Sequence, residues 1–593
     1  MKKIILFLFV LFLGASTLEA VPAWPGRLVF TQPDGTAITL YRHGDEWGNW
    51  LTDTRGRVVL RDDDGFFRVH EEISPVSAAS AARFRRRAVQ QRSVRPASHP
   101  AALGSRHFLV ILVEFQDLGF TVEDPQAAFS RLLNEPGYSV NGATGSARDY
   151  YYENSHGRFE PVFDVYGPVK VSGTKAYYGG GNPDERPQVA LTEGCRLLDG
   201  EIDFSRYDED GDGMVDMVFM YYAGYGEADS PDVNSIWPHS GYVHDHDEGL
   251  RLDGVSIDLY ACANEIIGTG ENMGKMVGIA QACHEFGHAL GLPDFYDVNA
   301  LTDGFAAGVL GFSLMDRGVY NNEGRTPPYL TMMERSILGW VPERSIALFE
   351  KSGTVSLPSV DQEVAYMTPT DEPGEYYLYE CRTQTGWDRY LGAYGLVIYH
   401  VDRSQREMTV KGAPTPITEI WTTEINLVNA NGSHPCFYVV PSSDPSSLRY
   451  GFKYANYFYD YLPDMMPGVP FPGVAGVTSF TPVSWSGVTG EIPLSDISFD
   501  GSQARFHVTV PENTMDYVTI QNPGNSVYKA GERFHLALSD KTRDSVTKVE
   551  WSFDSMKTDE SDVVLSAGKH TVDATVTNGS GKTYTVTLLL EAR

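Results

Sequence analysis

The period of apolar and polar positions changes several times along the chain, and the changes divide it. From Val21 to about Pro75, short apolar runs alternate with Asp-Gly and Arg-Gly turns, as in "RLVFTQPDGTAITLYRHGDEWGNWLTDTRGRVVL". That texture predicts a small β-rich unit. "HFLVILVEFQD" (His107 to Asp117) is an unbroken apolar run of the kind that forms a buried strand. "PQAAFSRLLNE" and "ARDYYYENSHG" have helical spacing, the second closed by Gly157, and "VDMVFMYYAG" reads as another strand. "MGKMVGIAQACHEFGHALG" then places Ile279, Cys283, Phe286 and Leu290 on one stripe of a helix. Beyond about Pro342 apolar residues alternate among frequent Gly, Pro and Asn. "GEYYLYECR", "YGLVIYHVD" and "ARFHVTV" are strands without long helices between them, the pattern of a β-sandwich. From Pro511 the strands "RFHLALS", "KVEWSF" and "TYTVTLLLEA" predict a separate immunoglobulin-like module.

The ends and the composition narrow the setting. Lys2 and Lys3 precede the apolar run Ile4 to Leu13, and small residues follow to Ala20, the order of a secretory signal peptide. A membrane span needs about 20 apolar residues, roughly twice this run, so an exported protein without a transmembrane anchor is expected. A net charge of −31 excludes a nucleic-acid partner, whose phosphates need a basic surface. Within this acidic chain, no Asp or Glu occurs between Glu72 and Glu114, while Arg83, Arg85, Arg86, Arg87, Arg92, Arg95 and Arg106 do. That stretch reads as an exposed linker open to proteolysis. The five cysteines (Cys195, Cys262, Cys283, Cys381 and Cys436) are too few and scattered for a disulfide framework, and an odd number leaves at least one unpaired. A chain of 593 residues exceeds one ordinary domain.

The helix "HEFGHALGLPDFYD" carries the chemistry. His284 and His288 lie four apart, so both imidazoles reach one ion from one helical face. Catalytic zinc takes three protein ligands and keeps a position for water, and Glu285 beside the first histidine is placed as general base. Gly291 can end the helix with positive φ and turn the chain back, which positions Asp294 as third ligand. This is the zincin layout His-Glu-x-x-His-x-x-Gly-x-x-Asp. Met315 in "GFSLMDRGVY" fits a Met-turn below such a site. Tyr320 is read as a surface loop residue, with oxyanion donation as the alternative.

"HEFGHALGLPDFYD", "SLMDRG" and "MMERSILGWV" together resemble the bacterial immune inhibitor A-like secreted metalloproteases, from about His107 to Val510. The stretch Val21 to Arg68 is similar to the propeptide region of such enzymes, and "RTQTGWDRYLGAYGLVIYHVD" to their post-catalytic β region. The resemblance implies a zinc endopeptidase made as a zymogen, with His284, His288 and Asp294 as zinc ligands and Glu285 as base. Asp297 and Glu334 stay open as substitutes for Asp294, and Cys283 directly before His284 is expected to pack inward. No cysteine precedes Cys195, so latency through a propeptide cysteine is excluded; an acid in "RDDDG" is the expected cap on the zinc.

A second cation site is read in "YDEDGDGMVD". Asp208, Asp210, Asp212 and Asp216 alternate around Gly213 and can wrap Ca²⁺ with oxygen ligands. Phe219 stands where an EF-hand places glutamate, so a structural clip is expected rather than a sensor. The expected architecture is multidomain α+β: a signal peptide over 1–20, propeptide and basic linker over 21–105, a zincin (metzincin-like) domain over 106–345, a β-sandwich over 346–510 and an immunoglobulin-like domain over 511–593. The expected function is secreted, zinc-dependent hydrolysis of protein or peptide substrates. The alternative from another class is an adhesin or binding protein that uses its sandwich domains on an inactive zincin scaffold. The retained Glu285 argues against that alternative, since an inactive scaffold has no use for a base.

Overall fold

The computed structural model describes residues 21–592 except 46–47, 75–76, 78–99, 101, 180–185, 246–248, 299–305, 307, 342–345, 411–412, 424, 444–465, 512–519, 521–526, 539–545 and 579–582. The expected signal segment and most of the basic linker therefore lie outside the described residues. Arg27–Thr31, Ala37–Asp45, Gly48–Thr52, Val58–Arg61 and Phe67–Val69 form an antiparallel sheet in chain order, with its own small core of Leu28, Phe30, Leu40, Val59 and Phe67.

The central sheet has the order Phe159–Lys170, Gly104–Glu114, Val218–Tyr225, Leu259–Ile266, His239–Tyr242. The first four strands are parallel and the last is antiparallel to its neighbour. Parallel neighbours need crossovers, which the helices Pro125–Asn134, Ala147–Asn154 and Pro187–Leu198 supply among the first three strands. The apolar run through Gly104–Glu114 is unbroken because both faces are covered. Phe108, Val110 and Leu112 face the core that contains Cys283 and Phe286; Leu109, Ile111 and Val113 face the one with Leu191, Cys195 and Leu198.

Downstream, a five-stranded sheet (Ala347–Leu348, Tyr366–Pro369, Glu375–Arg382, Gly395–Asp402, Phe437–Val440) packs on a three-stranded one (Gly353–Pro358, Gln503–Val508, Leu494–Phe499), a sandwich-like pair. Glu375–Arg382 and Gly395–Asp402 are buried at every position rather than alternately. Their second face meets the central region: Phe437 packs on Phe295, Met332 donates its N–H to Glu380, and one apolar core continues from Phe108 to Val510. The tail strands build a further sheet with a separate core around Phe534, Leu565 and Val572. All five cysteines are buried and unbridged. Among the described residues no helix is long and apolar enough to cross a membrane.

Candidate active site

The helix Ala280–Ala289 lies against the central sheet with Cys283 and Phe286 in the core, and it is buried along its whole length. Burial holds the Cys283 thiol well above its usual range, so it packs as an inert apolar group. Gly287 packs closely on Met315: a Cβ there would meet the Met315 Sδ at 3.0 Å, so that side chain would have to give way. Met315 thus packs against the helix at Gly287. Gly291 ends the helix at φ +104°, and the Leu292 N–H reaches back to the Gly287 carbonyl at 3.0 Å.

That turn brings Asp294 to the two histidines. His284 Nδ1 donates to the Leu314 carbonyl at 2.9 Å and His288 Nδ1 to the Leu292 carbonyl at 2.7 Å. These bonds fix both tautomers and leave each Nε2 as a lone-pair acceptor. Burial also pushes the His284 pKa down, which keeps its ring neutral. The two Nε2 atoms are 3.1 Å apart, and Asp294 Oδ1 lies 3.3 Å from one and 3.4 Å from the other. Three acceptors so close repel unless a cation sits among them. A tetrahedron with ligands at about 2.0–2.1 Å from its centre has edges of roughly 3.4 Å, so the triangle has the size that zinc requires. Asn426, 132 residues further on, holds the aspartate in place: its Oδ1 accepts the Asp294 N–H at 2.7 Å and its Nδ2 donates to Asp294 Oδ2 at 2.6 Å.

The substitutes for Asp294 are placed elsewhere. Asp297 accepts the Ala306 N–H. Glu334 accepts from Ser313 Oγ and from the Thr331 N–H and hydroxyl, capping its own helix.

Glu285 is fully buried and faces a cleft that the N-terminal segment fills. The Val21 N–H donates to Glu285 Oε1 at 2.9 Å. Trp237 Nε1 donates to the Val21 carbonyl, the Tyr320 hydroxyl to the Pro22 carbonyl, and the Trp24 N–H to the Ala228 carbonyl. Tyr320 is therefore a buried backbone clamp, not the surface residue that its loop sequence suggested. "RDDDG" is also not what fills the cleft: Asp62 and Asp64 pair with Arg68 at the surface.

In the acidic loop, Asp208, Asp210 and Asp212 bring carboxylate oxygens within 4.8 Å of one another. Asp208 Oδ2 accepts the Gly213 N–H at 3.0 Å, while Asp208 Oδ1 is buried without a hydrogen-bond partner. Asp216 is half-buried, and burial together with Asp210, Glu209 and Asp208 pushes its pKa up to about 7 against the pull of Arg106. Phe219 lies buried in the following strand, which rules out an EF-hand exit helix. The donor set suits a hard cation held by oxygen.

Residues 105–334 match the family described as immune inhibitor A peptidase M6, catalytic domain. Two curated relatives, both named pre-pro-metalloprotease PrtV and from Vibrio cholerae strains M66-2 and El Tor Inaba N16961, are 27% identical over 37% of this chain. The match spans 28% of the length of each. A solved structure of wild-type OgpA from Akkermansia muciniphila aligns over 84% of this chain and 95% of that one at 10% identity, with a TM-score of 0.23, too low to bear on the fold.

Proposed function

We propose that this chain, whose residues 105–334 match the immune inhibitor A peptidase M6 catalytic domain, is a secreted zinc endopeptidase of the zincin type, made as a zymogen. The observation that carries this reading is the convergence of His284 Nε2, His288 Nε2 and Asp294 Oδ1 beside Glu285. Zinc held by these three residues supplies Lewis acidity to a substrate carbonyl and to water. Glu285 takes the proton from the attacking water and hands it to the departing amine. The Val21 nitrogen at 2.9 Å from Oε1 supports that role, since it marks a position where a peptide nitrogen lies within proton-transfer reach. Trp237 and Tyr320 hold peptide carbonyls on the same side, so they position a substrate backbone there.

The zymogen reading rests on the same contact. While Val21–Trp24 lies against Glu285, no substrate chain can enter that half of the cleft. Cleavage in the basic stretch Arg83 to Arg106 would detach the N-terminal unit and open it. Calcium in the loop Asp208, Asp210, Asp212 and Asp216 would staple Gly213 and its neighbours to the strand that follows.

Chelation of the processed protein should abolish caseinolysis, and a stoichiometric amount of zinc should restore it. N-terminal sequencing of the active form should begin within or just after the basic stretch. An active form that begins at Val21 would overturn the zymogen reading, and one that resists chelation would overturn the zinc reading.

A further inference from the structure

Two consecutive residues of the catalytic domain, Glu227 and Ala228, contact the N-terminal unit, and Asp229 follows them beside it. Arg42 of that unit is 1% exposed, and its Nη1 lies 3.0 Å from Glu227 Oε1 and also donates to the Glu227 carbonyl. The Ala228 carbonyl accepts the Trp24 N–H at 2.9 Å. Asp229 lines a recess with Trp24, Gln281 and Tyr320; its Oδ2 accepts the Gly268 N–H, and its buried Oδ1 has no hydrogen-bond partner. Burial pushes the Asp229 pKa up to about 7, opposed in part by the charge of Arg42. The Tyr320 ring packs edge-on against Trp24, and its hydroxyl lies in the fields of Asp229, Arg317, Glu285 and Arg42 together. These groups therefore share one locale beside the catalytic glutamate.

Towards the N-terminal unit this rim offers acceptors, the Glu227 carboxylate and the Ala228 carbonyl. The N-terminal unit answers them with a guanidinium and an amide N–H. When that unit leaves, Glu227 loses the guanidinium of Arg42. A cationic group that fills the vacated place recovers a charge-assisted hydrogen bond.

We infer that Glu227 and Asp229 form a specificity subsite for an arginine or lysine side chain of the substrate, on the side of the cleft now occupied by Val21–Trp24, with Arg42 as its occupant in the unprocessed chain. The inference rests on the endopeptidase and zymogen reading. Since Val21 supplies the nitrogen at Glu285, the subsite lies on the C-terminal side of the scissile bond, and it takes a residue two to four positions beyond it.

The test uses processed enzyme and pairs of peptides that differ only by arginine or norleucine at the second, third or fourth residue after the cleaved bond. For at least one pair, kcat/KM should favour arginine by on the order of tenfold, the value of one hydrogen bond to a charged group. Glu227→Gln and Asp229→Asn should each bring that ratio towards one. A ratio near one for every pair in the parent would overturn the subsite while leaving the peptidase intact, as would a preference that survives in both variants. Failure of the zinc-loaded, processed parent to cleave any peptide would instead remove the endopeptidase reading, and the subsite with it.

Discussion

Two clusters among the described residues combine histidine with buried carboxylate, and they differ in what balances the negative charge. In the sandwich-like region Asp402, His434 and Cys436 bring potential ligand atoms within 4.8 Å of one another, as do His284, Glu285 and His288 on the helix. The difference is a cation. Arg406 Nη2 lies 2.7 Å from Asp402 Oδ2 and 2.8 Å from Glu375 Oε2, and His434 Nε2 also reaches Asp402 Oδ2. Burial pushes the Asp402 pKa up, but the His434 hydrogen bond and the Arg406 charge prevail and hold it down to about 2. Burial pushes the Cys436 thiol well above its usual range, so it is no thiolate ligand. At the helix site no arginine or lysine stands among the ligand atoms, and three acceptors converge. Residue types alone do not separate the two clusters; the group that balances the carboxylate does.

The largest expected effect sets the clusters directly against each other. His288→Ala should lose both bound zinc and proteolysis, because two ligands rarely hold a catalytic zinc. His434→Ala should leave the zinc content at the parent level, by elemental analysis of both variants. Equal zinc loss in the two would erase the distinction drawn here.

Next in size is Arg406→Met, which leaves Asp402 and Glu375 buried without their cation. Breaking a buried pair by removing one partner costs about 3–5 kcal/mol, and the partial exposure of Arg406 places this case at the lower end. Urea unfolding should show the loss, with zinc content unchanged in protein that remains folded.

Asn426→Ala acts on the other cluster through positioning alone. Asp294 keeps its carboxylate but loses both of its clamps, and loss of such an outer partner costs about 10–100-fold in metal affinity. Competition with a zinc chelator would measure it; an unchanged affinity would mean that the turn after Gly291 positions Asp294 unaided.

The smallest effect concerns the acidic loop, where the balancing cation is proposed to be calcium. The pKa of Asp216 is about 7 in the folded chain against a model-compound value of 3.8. Between those values the folded state binds more protons, so calcium-free stability should fall as pH rises through that window. Added Ca²⁺ should flatten the fall and raise the melting temperature. Asp210→Ala together with Asp212→Ala should remove the response. The same calcium response in parent and variant would count against the site.

How much of this was legible in the sequence follows from contact range. His284, Glu285, His288 and Gly291 fall within one helix and its turn, so spacing alone puts the two histidines on one face with Glu285 beside the first. Asp294 followed from the turn. Asn426 carried no local signal, because its contact with Asp294 spans 132 residues and its neighbours read as an ordinary loop. The Val21 contact with Glu285 spans 264 residues and involves a backbone N–H, which any residue but proline could supply. The pairing of Arg42 with Glu227 was hidden in a hairpin whose pattern reports only strand and turn. The sandwich strands were recognisable as strands, but their burial on both faces was not. It depends on the central region packing against them, a contact that no local period encodes.

Glu285 is the proposed general base and is not one of the three proposed ligands, so it separates catalysis from metal binding. Glu285→Ala in the processed protein should retain zinc at the parent stoichiometry. Proteolysis should fall below detection, since loss of a general base costs on the order of 10²–10⁴ in rate. Zinc content and proteolysis measured on one preparation decide the matter: full zinc with no activity is the predicted result, and parent-level activity would contradict it.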